Sequence, residues 1–310
     1  MTYLSVVTTL YGSAAHLDEF YRRASAIASQ VSPEYEIIFV NDGSPDQSLN
    51  MAVALHLTDP HVRVIDLSRN FGHHKAMMTG LMHARGSLVF LIDCDLEEEP
   101  ELLPQFYQVL QSRGVDVVYG VQEFRKGNWF ERVSGDVFYA TFNFLSDYPL
   151  PRNLASIRLM TDRYVCALVA HQERELLIAG LWVITGFEQV PFPFQKRHRG
   201  STSYTLSRRI ATLTNFITSF TSKPLVFIFY MGAFISIVAS LAAIYLIFHV
   251  MFLGAMLDGW PSLIISIWLL GGLILFSLGV IGIYLSKVFN EVKQRPYTII
   301  REIYEQSHEK

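Results

Sequence analysis

Residues 90–100 read FLIDCDLEEEP: an apolar run passes straight into five carboxylates, Asp93, Asp95, Glu97, Glu98 and Glu99, within seven positions. Like charges this close depress folding stability unless a cation or hydrogen bonds offset them. A strand ending at Asp93 and Asp95 therefore points to a bound divalent metal, whose ligands are oxygens of this kind. Alternate residues of an extended chain point the same way, so continued extension predicts that Asp93, Asp95 and Glu97 share a face. Glu98 and Glu99 precede Pro100, where acids favour a first helical turn through its dipole. The plain alternative for Asp93 and Asp95 is a solvated turn, because an Asp-x-Asp alone has modest specificity.

Outward from this stretch, short β-branched runs alternate with helical patterns. Strands are predicted over 4–9, 36–41, 62–68, 87–93 and 115–120, with helices near 15–29, 47–58, 74–84 and 100–112. This order is α/β, doubly wound around a mostly parallel sheet. Ligands of such sheets gather at the carboxyl ends of the strands. Residues 9–11, 41–44, 68–75 and the acidic stretch should then converge on one cleft. The chain has neither a G-x-G-x-x-G after its first strand nor a G-x-x-x-x-G-K-[ST], which disfavours a dinucleotide site and a P-loop.

The 310 residues are 51% hydrophobic, high for a soluble enzyme. The excess is concentrated: residues 225–257 and 259–286 contain no Asp, Glu, Lys or Arg. Each stretch exceeds the roughly 20 residues that cross a bilayer as a helix, so two transmembrane helices are predicted near 225–253 and 262–286. Arg208, Arg209 and Lys223 precede the first span and Lys287, Lys293 and Arg295 follow the second, while the connection has no Lys or Arg. The positive-inside rule then places both ends in the cytoplasm. With two cysteines, Cys94 and Cys166, and that compartment, packing rather than a disulfide is expected.

The formal charge of −3 hides a basic run, residues 195–209, with five Lys or Arg and no acid. Just ahead of a span, such a run suits anionic lipid or a phosphate ligand. Residues 129–148 and 203–222 carry apolar positions at helical spacing and fit interfacial helices or ordinary packed amphipathic ones, the place of the second beside the first span favouring the interface. The domain scheme is a cytoplasmic catalytic domain over 1–202, an interfacial amphipathic helix over 203–223, two membrane helices within 224–287 and a cytoplasmic tail over 288–310. The alternating tail segment 293–304 suits a strand added to a neighbour or to its own domain.

Taken in order, VVTTLYG (6–12), VNDGS (40–44), SRNFGHHKAMMTGLMHARG (68–86), LIDCDLEEEP (91–100), IRLM (157–160), RHRGSTSY (197–204) and two terminal membrane helices make a joint match. The chain resembles the family 2 glycosyltransferases of the GT-A fold, in particular the polyprenyl-phosphate glycosyltransferases related to dolichyl-phosphate mannose synthase. That resemblance implies a nucleotide sugar across the strand ends, with Thr9, Tyr11, Asp42, Lys75 and Asp93 binding it. It implies Mg²⁺ or Mn²⁺ held by Asp93, Asp95 and Glu97, with Asp93 and Asp95 the catalytic carboxylates. It implies an acceptor phosphate held by Arg69, Arg132, Arg197, Arg199 and Thr202. The partners implied are a nucleotide sugar, a polyprenyl phosphate and the membrane, without nucleic acid. The setting is cell-envelope synthesis of the lipopolysaccharide or O-antigen type, and related enzymes are oligomers.

Two departures bear on the reaction. The first strand ends in Thr9-Leu10-Tyr11-Gly12-Ser13 where the family commonly has Pro-x-Tyr-Asn-Glu, which puts nucleobase recognition in doubt. Ser156 stands where many relatives have an Asp proposed as base. A hydroxyl acceptor needs a positioned base, whereas a phosphate monoester, with a second pKa of about 6, is already mostly dianionic. Ser156 thus favours inverting transfer to a polyprenyl phosphate; the alternative is transfer to a hydroxyl of a lipid-linked saccharide or polysaccharide. A scaffold without turnover and a small channel are further rivals. Intact Asp93 and Asp95 oppose the first, and spans whose deepest titratable group besides Tyr is His249 oppose the second.

Overall fold

The computed structural model describes residues 2–123, 151, 153–174, 176–196, 218, 221–253 and 259–306. They fall into two units: residues 1–140, 148–205 and 295–310, and residues 141–147 and 206–294.

The first unit is built on an eight-stranded mixed sheet. Its strands are β1 (Leu4–Leu10), β2 (Tyr35–Asn41), β3 (Val62–Leu67), β4 (Leu88–Leu91), β5 (Val117–Gln122), β6 (Leu154–Thr161), β7 (Gln189–Phe194) and β8 (Ile300–Tyr304). They lie in the order β7-β5-β6-β4-β1-β2-β3-β8. The centre is parallel, with Val6 opposite Ile37 and Phe90, while β6 and β8 run antiparallel to their neighbours. All seven residues of β1 are buried, as expected where helices cover both faces of a sheet.

One face is covered by α1 (Leu17–Val31), α2 (Ser48–Thr58) and α4 (Leu103–Arg113), whose Phe20, Ala52 and Phe106 meet Val6, Phe39 and Phe90. The other is covered by α3 (His73–Met82), α5 (Asp162–Val169) and α6 (Ile178–Ile184), whose Met78, Tyr164 and Leu181 meet Val7, Ile38 and Met160. A single 3₁₀ turn opened by Pro100 leads into α4, and Gly114 ends that helix at φ 63°, the left-handed stop that glycine adopts freely.

All five expected strands and four expected helices form, with ends shifted by a few residues. β6 and β7 were not expected as strands. The tail pairs with its own unit: β8 runs antiparallel to β3, with Ile303 opposite Ile65. Arg301 reaches Asp66 at 3.2 Å, and Glu305 takes Arg63 at 3.0 Å and Arg85 at 2.7 Å. Cys94 is a core residue as expected, but Cys166 lies exposed on α5 and is not a packing residue.

The second unit contains α7 (Lys223–Leu253) and α8 (Trp260–Val292). Their 31 and 33 residues rise about 46 and 50 Å at 1.5 Å each, enough for a hydrocarbon core of about 30 Å. Mean hydropathies reach 2.3 and 2.2, and no residue of either apolar window is buried. Phe227, Phe234, Leu241, Trp268 and Leu275 are all exposed, the pattern of helices whose solvent is lipid. The Tyr284 hydroxyl donates to the Thr221 carbonyl at 2.7 Å, tying α8 to the residues just ahead of α7 within this unit.

Candidate active site

The carboxyl ends of β1, β2, β3 and β4 lie side by side in the sheet, so the loops that follow them meet as the strand order predicts. Backbone closeness fixes the loop after β2. Gly43 has φ +61°, and a Cβ there would stand 2.6 Å from both the Arg69 carbonyl carbon and the Asn70 nitrogen. Only glycine lets the two loops touch.

Asp42 joins the same two loops. It is 2% exposed, and its Oδ1 and Oδ2 accept the Phe71 and Gly72 N–H groups at 2.7 and 3.0 Å. Burial lifts its pKa, and those two bonds pull against the rise. Its carboxylate therefore holds the β3–α3 loop and the start of α3. Tyr11, by contrast, is 58% exposed at the end of β1. Arg69 is exposed on the loop, its Nη1 donating to the Asn70 carbonyl at 2.9 Å and its guanidinium 4.0 Å above the Phe71 ring. Lys75, in the first turn of α3, places its Nζ 6.0 Å from the Tyr297 ring.

His73 is the hub that the sequence reading passed over, although it stands in the quoted 68–86 block. Its Nδ1 lies 3.0 Å from Thr9 Oγ1. Its Nε2 lies 3.3 Å from Asp93 Oδ1, close enough for an ion pair but without hydrogen-bond geometry. Burial alone would lower the His73 pKa, but Asp93 raises it, helped by Asp42 and Asp95. Burial would raise the Asp93 pKa, and the His73 contact with the nearby Ser156 and Lys196 holds it down. Thr9, His73 and Asp93 thus connect β1, α3 and the end of β4.

The acidic loop does not stay extended. β4 ends at Leu91, a turn follows at 94–95, and Leu96 sits at φ 61°, a left-handed conformation costly for a branched side chain. Asp93, Asp95 and Glu97 therefore do not alternate on one extended face, contrary to the expectation from sequence. Glu97 turns to Lys196, whose Nζ is 3.0 Å from Glu97 Oε2. Asp95 is exposed, and its Oδ1 accepts the Glu97 N–H at 2.9 Å. Burial, with the charges of Asp93 and Glu97, lifts the Asp95 pKa. Glu98 is 1% exposed, and burial followed by the Asp93 charge pushes its pKa up to about 8. It is not the surface helix-start acid that its place before Pro100 suggested. Lys196 opens the basic run and was visible only as part of it.

No group of three His, Cys, Asp or Glu side chains among the described residues forms a metal cage. Asp93 Oδ1 is nevertheless a buried carboxylate oxygen without a hydrogen-bond donor, and Asp95 is exposed one turn away. Two carboxylates suit Mg²⁺ or Mn²⁺ when substrate phosphates complete the shell. Arg132, Arg197, Arg199 and Thr202, together with the interfacial helix over 203–223, lie outside the described residues except at 218 and 221–223.

Residues 5–172 match the model of glycosyl transferase family 2. A glycosyltransferase of Mycobacterium tuberculosis is 58% identical over 97% of this chain and 88% of its own length. The prophage bactoprenol glucosyl transferase homolog of Escherichia coli K12 is 30% identical over 97% of this chain and 99% of its own. Among solved structures, glucosyl-3-phosphoglycerate synthase from Mycobacterium tuberculosis, in complex with Mn²⁺ and UDP-glucose, aligns at 18% identity and a TM-score of 0.48, covering 70% of this chain and 78% of that one.

Proposed function

Because the chain belongs to glycosyl transferase family 2, we propose that it moves a sugar, with inversion, from a nucleotide sugar bound at the Asp93–Asp95 loop to a polyprenyl-carried acceptor in the membrane. The observation that carries this reading is one chain joining that loop, at the carboxyl end of β4, to two lipid-solvated helices. Resemblance to a bactoprenol glucosyl transferase homolog over nearly the whole length supports the acceptor class.

Tyr11 is the exposed ring available to a nucleobase, and Asp42 shapes the wall beside it. Thr9 and His73 orient Asp93, while Asp95 presents its carboxylate to solvent. A divalent ion held by Asp93 and Asp95 would supply charge to offset the departing nucleoside diphosphate. Lys196, two residues past β7, brings a positive charge to the acidic loop through its ion pair with Glu97.

β8 follows the second apolar helix and hydrogen-bonds into the sheet that β1 to β4 form before the first. One sheet cannot be divided by a bilayer, so both flanks of the helix pair belong on one side. The basic flanks support the cytoplasm as that side.

The nucleophile has two readings. The relatives' names specify a bactoprenol carrier and no phosphate, which the hydroxyl of a lipid-linked saccharide meets at least as well as a polyprenyl phosphate. The phosphate reading is supported by Ser156, which lies beside Asp93 at the position where relatives carry the carboxylate proposed as base, and by both His73 nitrogens facing Thr9 or Asp93. Thermal-shift titration with UDP, GDP, CDP and dTDP plus Mn²⁺ identifies the donor. Labelled donor is then supplied with polyprenyl phosphate or with a lipid-linked saccharide. A mono-glycosyl phospholipid supports the phosphate reading; an extended saccharide with the phosphate ignored overturns it.

A further inference from the structure

Asp66, last but one in β3, is a carboxylate only 1% exposed. Its two oxygens have different partners. Oδ1 accepts from Asn41 Nδ2 at 2.8 Å, and Oδ2 lies 3.2 Å from Nη1 of Arg301, on the strand that follows the second apolar helix. Stripping a buried carboxylate of its counter-charge is strongly destabilising, so whatever Asp66 holds depends on the tail.

Asn41 passes the contact on. It ends β2 and is 2% exposed. While its Nδ2 donates to Asp66, its Oδ1 accepts the Ser44 N–H at 3.2 Å. An amide donates and accepts at once, which neither an ionised carboxylate nor an alkyl side chain does. Ser44 Oγ then accepts the Gly12 N–H at 2.8 Å and donates to Asp46 at 2.6 Å. Gly12 follows Tyr11, the exposed ring at the end of β1. Arg301, Asp66, Asn41 and Ser44 thus form one polar relay from the tail to the end of β1.

Arg301 has a second grip. Its Nη2 donates to the Ser68 carbonyl at 2.8 Å, and the Ser68 N–H donates to the Ile299 carbonyl at 2.9 Å. Ser68 is the first residue past β3 and opens the loop to α3, so the tail holds both of its backbone groups. Covering the β3 edge does not by itself call for this. The β8 ladder slips at this point: Glu302 stands opposite Asp66 and Ile300 opposite Leu67, which leaves Arg301 as the extra residue of a bulge. Bulges re-aim a side chain, and the re-aimed guanidinium reaches Asp66 and Ser68 together.

We propose that Arg301 is a positioning residue of the donor site. Through Asp66 and Asn41 it sets the Asn41–Ser44 turn and Gly12, and through Ser68 it sets the loop after β3, so that these loops are in place for a nucleoside diphosphate. The assignment rests on the nucleotide-sugar reading above. It makes the donor site depend on chain that follows the membrane helices.

The test uses the full chain in detergent, titrated calorimetrically with UDP, GDP, CDP and dTDP, each with Mn²⁺, and followed by hydrogen exchange without nucleotide. Arg301→Met should weaken binding of the nucleotide that wild type takes about tenfold, the loss expected for a bond to a charged group, with the acceptor KM unchanged. The Ser44, Gly12 and Ser68 amides should exchange faster, while the His61 N–H, held by Asp59 at the other end of β3, keeps its protection. Arg301→Met combined with Asp66→Asn removes the stranded charge and keeps an acceptor for Asn41. Affinity should then return to within about threefold of wild type, the remainder being the Ser68 bond. If Arg301→Met does not fold, Arg301→Lys decides: it can pair with Asp66 but not also reach Ser68, so a loss of about threefold is expected and unchanged affinity overturns the proposal. Unchanged affinity in Arg301→Met, or exchange at His61 accelerated as much as at Ser44, marks the arginine as a general brace of the sheet edge and overturns it too. So does weakened binding that the double variant leaves unrepaired. If wild type binds none of the four nucleotides, the proposed function fails and the exchange pattern alone decides the relay.

Discussion

Asp42→Asn separates two roles for a residue that the resemblance gives to the nucleotide and the structure gives to a loop. The carboxylate is 2% exposed and accepts both the Phe71 and Gly72 N–H groups. Asparagine keeps its size but can accept from only one of them, turning its own NH₂ toward the other. Losing a hydrogen bond to a charged acceptor costs about 1.5–3 kcal/mol. Removing a buried charge whose pKa burial had already raised returns part of this, leaving about 2 kcal/mol. At roughly 2–4 °C per kcal/mol for a domain of this size, the melting temperature should fall by about 4–8 °C. Thermal unfolding in detergent reads the total, and hydrogen exchange at Phe71 and Gly72 reads the location, since both amides should lose protection. An unchanged melting temperature with unchanged exchange, accompanied by weaker nucleotide binding, would refute the loop-holding role.

Gly43→Ala should cost about 1–3 kcal/mol from its positive φ alone and more from the 2.6 Å approach to the Arg69–Asn70 backbone; chemical unfolding measures it. Asp46 accepts from Ser44, Ser48 and the Ala14 amide, and although burial would raise its pKa these bonds hold it far below the usual range. A depressed carboxylate stabilises the fold above its unfolded pKa and loses that contribution as pH falls through the folded one. Wild type should therefore lose melting temperature on acidification below about pH 4 more steeply than Asp46→Asn. Deleting the chain from 296 onward removes β8, uncovers the β3 edge and strips Asp66 and Arg63 of Arg301 and Glu305; faster proteolysis within residues 62–68 is expected.

The parallel centre of the sheet was legible because its strands are continuous β-branched runs, LSVVTT and EIIFVN among them. β7, QVPFPF, was hidden because two prolines in six residues argue against a strand; it survives as an edge strand beside β5. β6 was noted only as the motif IRLM because buried Arg158 interrupts its apolar run. The acidic loop was legible as chemistry and misleading as geometry, since no local signal announces that Leu96 turns left-handed or that Glu97 leaves its neighbours for Lys196, ninety-nine positions away. His73 and Asp42 exchanged prominence for the same reason: which of them faces the cleft depends on loop contacts thirty residues apart.

The most direct measurement of the central claim is organic-phase extraction of label after incubating labelled nucleotide sugar, Mn²⁺ and polyprenyl-carried acceptor with wild type or Asp95→Ala. Asp95 is exposed and accepts the Glu97 N–H at its Oδ1, so its removal should leave the melting temperature nearly unchanged. Transfer should fall at least about a hundredfold, the cost of deleting one transition-state charge stabiliser. Label reaching the lipid fraction with wild type and not with a folded Asp95→Ala is the predicted result. Equal labelling by both proteins, or none with any nucleotide sugar, would contradict it.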